Sequence, residues 1–243
     1  MQIQAHHESL QEQAEALRAA AVRAGAEAPV PTCPEWDVRA LVRHLAKVYG
    51  MVLGALETER GGQRPKPESA PQEFEAALAF WDEKLAALLP ALSAADPHAP
   101  VWAFFAEGTP AAWTRRMVHE TAIHRLDAER AAGGASGLVF EPRLAADGAD
   151  EMLSVIVPVS DWSAEERAGK VLYHAADAER AWLVTFRPGA SPELGRPENA
   201  ALGLEVDATV AGTADAVYRK VWGRPSTAVI TGDAELAEAI SGR

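Results

Sequence analysis

Leu41, His44, Leu45, Val48 and Val52 recur at i, i+3, i+4, i+7 and i+11, the spacing of one face of an α-helix. Trp113, Met117, Glu120, His124 and Asp127 keep to one face in the same way farther along the chain. Stripes of this kind need a partner surface, so the first half of the chain is constrained to fold as packed helices. Both stripes also carry groups that are foreign to an apolar core. Glu120 and His124 are four apart, which puts their Cβ atoms roughly 5–6 Å from each other on a helix. A carboxylate turned into a bundle is costly unless it is paired, protonated or bound to metal.

The rest of the first half extends this pattern. Residues 3–24 are rich in Gln, Glu, Ala and Leu and end at Gly25. A Pro-rich break follows, and a second helix is expected from Trp36 and Asp37 to about residue 59, with Asp37 as its N-cap. Further helices are expected over 71–92 and 110–132, and from Pro142 onward. The second half changes character. Residues 170–174, 181–186, 201–210 and 226–232 are richer in β-branched and aromatic residues and read as strands. Short helices are expected over 214–222 and 233–240. The expected organisation is α + α/β, with a helical domain over 1–158 and a small α/β domain over 165–243.

The chain has 243 residues and a formal net charge of −12. That charge argues against binding nucleic acid, whose backbone calls for clustered Lys and Arg, and disfavours anionic membranes. With Cys33 as its one cysteine, the chain forms no internal disulfide, which fits a reducing compartment. The first residues lack the basic and apolar regions of a secretory leader. No apolar run reaches the roughly 20 residues of a membrane-spanning helix. The expectation is a cytoplasmic protein, a monomer or a homodimer, acting on small molecules. The abundant Ala and Arg suggest a high-GC genome.

Two imidazoles and a carboxylate meeting inside a bundle would make a divalent metal site with open positions, from His44, Glu120 and His124. Each element also has a plain alternative. His44 would be an ordinary core histidine, and Glu120 with His124 an exposed pair. His119 projects about 100° away from Glu120, off the face that carries the candidate ligands. His6 and His7 read as the solvated start of the first helix, with an extra ligand from there as the alternative, and His98 and His174 lie in other contexts. Cys33 reads as a packed thiol, and Trp36 and Trp113 as core anchors.

Four segments bear on the choice. They are VPTCPEWDVRALVRHLA at 30–46, ETAIHRLDAE at 120–129, YHAAD at 173–177 with Trp182, and GTADAVYRKVWGR at 212–224. Together and in order they resemble the actinobacterial mycothiol-dependent maleylpyruvate isomerase family, within the DinB-like superfamily. The resemblance implies a DinB-like four-helix bundle followed by a small α/β domain. It also implies a zinc site at His44, Glu120 and His124. Leu126 and Glu35 depart from the family pattern at positions able to reshape the pocket.

The resemblance further implies the chemistry. Mycothiol would supply a thiol that loses its proton beside the metal and adds to an electrophilic small molecule. For a maleylpyruvate-type substrate, addition, bond rotation and elimination give the trans isomer, whereas related proteins would transfer the thiol itself. Asp127 would orient a metal ligand or contact the thiol, or else pair with Arg125 or Arg130. Arg224 matches a position expected to reach substrate carboxylates, a task suited to a guanidinium. A non-catalytic binding or regulatory protein, and a hydrolase using metal-bound hydroxide, are the other uses of such a scaffold.

Overall fold

A computed structural model describes residues 3–133, 137–197 and 204–241. The chain divides into two compact units, Met1–Leu138 and Val139–Arg243.

The first unit holds four helices: α1 (Ile3–Ala24), α2 (Val38–Leu56), α3 (Phe74–Ala94) and α4 (Pro110–Ala131). Helix α1 packs mainly along α4, and α2 along α3. Helix α2 starts where Asp37 caps it, its side chain accepting from the Ala40 amide at 2.7 Å. Helix α4 starts in the same manner at Thr109, which accepts from the Ala112 amide at 3.1 Å, with Pro110 in the first turn where its missing N–H costs nothing. Leu41, Leu45 and Val52 of the predicted stripe are fully buried. Trp113 is buried as expected, stacked on Trp102 and donating from its indole nitrogen to the Trp102 carbonyl at 2.8 Å.

A polar contact inside this apolar unit joins the two helices that carry the candidate ligands. Tyr49 on α2 and Thr121 on α4 lie with their hydroxyl oxygens 2.7 Å apart, both buried. Thr121 donates to the Met117 carbonyl at 2.6 Å, so Tyr49 is the donor to Thr121.

The second unit begins with α5 (Pro142–Glu151), a π-helical turn (Met152–Ile156) and α6 (Val157–Val159). Five strands follow, β1 (Gly169–Ala175), β2 (Arg180–Arg187), β3 (Ala190–Gly195), β4 (Ala208–Gly212) and β5 (Val229–Gly232), with α7 (Ala214–Val221) before β5 and α8 (Ala234–Ala237) after it. The sheet order is β3-β2-β1-β4-β5. Strand β1 runs parallel to β4, and the other neighbours are antiparallel. On β2, Trp182, Val184 and Phe186 are buried at alternate positions, the period of a sheet face.

Three expectations need correction. The unit boundary falls at Leu138, not near 158, because α5 packs against α7. Its small residues make this contact: Ala145 and Ala149 are fully buried, and the Trp222 indole donates to the Gly148 carbonyl at 3.2 Å. The strand expected over 201–210 is regular only from Ala208, and residues 201–203 lie outside the described residues. Strand β3 was not foreseen; it contains Pro192 and lies at the sheet edge, where a missing amide is tolerated.

Replacing Tyr49 with Phe removes the α2–α4 hydrogen bond without opening a cavity. The first unit should lose about 1 kcal/mol, read as a lower urea midpoint with an unchanged helical circular dichroism spectrum.

Candidate metal centre

Helix periodicity brings Glu120 and His124 to one side of α4, and α2 places His44 opposite. The ligand atoms offered by these three side chains all lie within 4.8 Å of one another. His44 Nε2 is 2.7 Å from Glu120 Oε1, and His124 Nε2 is 3.5 Å from that same oxygen. The imidazole rings meet edge to face, with centroids 5.0 Å apart. The cluster opens on the His44 side, whose side chain is 30% exposed against 12% for Glu120 and 9% for His124.

Each donor is held by a further group. His124 Nδ1 lies 2.9 Å from Asp127 Oδ2. Asp127 is fully buried and also accepts from the Thr32 hydroxyl at 2.5 Å and, more loosely, from the Cys33 thiol at 3.9 Å. A carboxylate at Nδ1 fixes a proton there and turns Nε2 towards Glu120. Arg116, one turn before Glu120, pairs with its Oε2 and leaves Oε1 for the histidines. Trp36 covers both imidazoles, its ring centroid 4.7 Å from that of His44 and 5.7 Å from that of His124.

The electrostatics follow from these contacts. Burial disfavours a charge on Glu120, but the Arg116 guanidinium and hydrogen bonds to His124 and His44 outweigh it and hold the carboxyl well below its ordinary range. Burial likewise pulls His124 down, and hydrogen bonds to Asp127 and Glu120 overcome it and raise the imidazole. A strongly ionised carboxylate facing two ring nitrogens is a donor set suited to a cation.

The structure brings together His44, Glu120, His124 and Asp127. Asp127 points inward to His124, while Arg125 turns to Gln13, donating to its Oε1 at 3.0 Å. Arg224 belongs to the second unit, where it follows α7 and donates to the Trp222 carbonyl at 2.7 Å. Trp36 is corrected from a core anchor to a half-buried ring against the histidines. His6 is corrected as well: it is buried, with a ring nitrogen within 4.8 Å of one on His119. Arg116 and Thr32 went unforeseen. The spacing of Arg116 and Glu120, four apart on one helix, was a signal for that pair.

Residues 7–129 match the family model of the mycothiol maleylpyruvate isomerase N-terminal domain. The chain belongs to this family. The matched span contains His44, Glu120, His124 and Asp127 and ends before Arg224. Two solved structures of mycothiol-dependent maleylpyruvate isomerase, one of them a histidine-to-alanine mutant, share the fold. Each covers 96% of this chain and 95% of its own, with TM-scores of 0.62 for the mutant and 0.59 for the other, at 10% and 11% identity. No curated protein sequence matches. Among the described residues, no helix is long and apolar enough to cross a membrane.

In this member of the isomerase family, Arg116→Met would strand the Glu120 carboxylate. The expected loss is about 3 kcal/mol, the lower end for a buried pair deprived of one partner, seen as a lower urea midpoint at neutral pH. A depressed carboxyl contributes stability above its unfolded pKa and loses it as pH falls through the folded one. The gap between the two proteins should therefore close in acid, and Arg116→Lys should recover part of it at neutral pH.

Proposed function

We propose that the protein is a mycothiol-dependent metalloenzyme that activates a thiol at a divalent metal for addition to an electrophilic small molecule. The favoured reaction is cis–trans isomerisation of a maleylpyruvate-type substrate. The observation that carries this reading is the convergence of His44, Glu120 and His124, with ligand atoms within 4.8 Å of one another. It gains support from family membership across the span that holds all three.

Three protein donors leave coordination positions open, as in catalytic rather than closed structural zinc sites. The residues present fit such an ion: Glu120 brings negative charge, and the imidazoles offer Nε2 atoms on the same side. When bound, a divalent cation, here proposed to be zinc, lowers the pKa of a thiol so that the thiolate prevails at neutral pH.

The chain's own groups do the positioning. Asp127, steadied by Thr32, holds the proton of His124 on Nδ1 and fixes the plane of the ring. Arg116 occupies one oxygen of Glu120 and keeps the other turned inward. Trp36 shields one side of both imidazoles. Arg224 is proposed to bind a substrate carboxylate, on the strength of its WGR segment and the chemistry of a guanidinium.

For the substrate, addition of sulfur to the cis double bond leaves a single bond free to rotate. Loss of the same thiol then yields the trans alkene, so the thiol is recovered. Thiol transfer shares the first step and stops at the adduct, and product analysis separates the two.

Protein purified untagged and without chelator should carry about one divalent metal per chain, and His44→Ala should lose it, since two donors rarely hold zinc. Maleylpyruvate should turn over with mycothiol and not without it. A metal-free wild type, or turnover indifferent to thiol, would overturn the reading.

A further inference from the structure

The segment after α2 turns back and lies along that helix. Gly50 and Gly54 are four apart and share a face. A Cβ on Gly50 would stand 3.2 Å from the Pro67 Cβ, and one on Gly54 only 2.8 Å from that of Pro65. Two prolines thus rest on bare helix backbone; a side chain at Gly54 would push the segment off, and one at Gly50 would crowd it. Exposure alternates along it: Arg64 exposed, Pro65 half-buried, Lys66 exposed, Pro67 half-buried. The prolines, each with its φ fixed, hold the segment to the helix and leave the two cations on the open side.

Helix and segment enclose a cleft of about 510 Å³ that runs from His44 past Lys47 and Met51 to Arg64 and Lys66, a volume suited to a small molecule. Its lining has three cations and no carboxylate, in a chain of net charge −12. Among the described residues, no carboxylate pairs with Lys47, Arg64 or Lys66, and the guanidinium of Arg64 lies 3.9 Å from the Met51 sulfur. One wall of this cationic cleft is His44, itself part of the donor cluster.

We propose that the cleft holds one carboxylate of the electrophile, distinct from the one given to Arg224, making the protein selective for small anionic electrophiles over neutral ones. The assignment rests on the thiol-adding function above. The charges fit an anion, and the apolar surface of Val48 and Met51 fits a short carbon chain. A molecule anchored there by that carboxylate has its other end beside His44, where the donors converge.

The test is the variant Lys47→Gln, Arg64→Gln, Lys66→Gln in the full-length, metal-loaded protein. Maleate serves as an unreactive probe, its binding followed by calorimetry at low and moderate salt. Three exposed charge contacts together should be worth about tenfold in affinity. The variant should bind maleate about tenfold more weakly and lose the salt dependence of the wild type. Its KM for maleylpyruvate should rise by a similar factor, with a much smaller fall in kcat. Unchanged maleate affinity and KM in a variant with native circular dichroism would overturn the proposal. So would a loss that falls on mycothiol binding instead, or equally on a neutral electrophile. Wild type that binds maleate through these cations but adds no thiol would uphold the anion cleft and sink the catalytic reading. Thiol-dependent turnover indifferent to the three substitutions would do the reverse.

Discussion

A carboxylate ionised inside a helix bundle has to be surrounded by groups that replace water, and Glu120 imposes that demand on everything near it. An ion deprived of water without a partner costs several kcal/mol. The answer is written mostly along one helix. Arg116 lies a turn before Glu120, His124 a turn after, and Asp127 lies beyond His124. Acid and base alternate along the stripe, so each buried group faces an opposite or hydrogen-bonding neighbour. His44 completes the arrangement from α2. With its charge so well supported on one oxygen, the carboxylate can present the other to a cation without being pulled out of place.

Much of this could be read from the sequence, because it depends on local spacing. The four helices of the first unit follow from stripes and caps, and Asp37 and Thr109 act at the helix starts as short polar side chains do. The stripe positions also brought the three donors onto facing helices. What escaped was set by the path of the chain between helices. Residues 30–36 form a compact loop, with the Val30 amide bonded to the Trp36 carbonyl at 2.9 Å and the Cys33 amide to that of Val30 at 2.9 Å. That loop delivers Thr32 to Asp127 and Trp36 to the imidazoles. Hydrophobicity alone made Trp36 a core residue; its flat ring in fact finds equally flat partners at the site. His6 misled in the opposite way, a polar residue in a polar stretch that is nonetheless buried.

The second unit shows the same division between local and non-local information. Strands β1 and β2 announce themselves through β-branched and aromatic residues on a half-buried surface, whereas β3 exists because a turn at Gly189, with φ of +67°, folds its chain back onto β2. No pattern in Ala-Ser-Pro-Glu-Leu-Gly would suggest a strand. Helix α5 was recognisable as a helix but not as a partner of α7, since the small residues that make the contact leave only a faint apolar signal.

The buried hydroxyl pair between α2 and α4 has a consequence for how the donors are kept ready. Tyr49 lies five residues past His44, and Thr121 lies next to Glu120. A slip of one helix past the other by a single turn would carry His44 about 5.4 Å along the axis, farther than the 4.8 Å within which the ligand atoms now gather. It would also leave both hydroxyls without each other in an apolar interior. The pair therefore acts as an index mark between two sliding rods, setting their register from within the core and independently of anything bound. A ligand arriving at such a centre meets donors already in line, so little of its binding energy goes into arranging them.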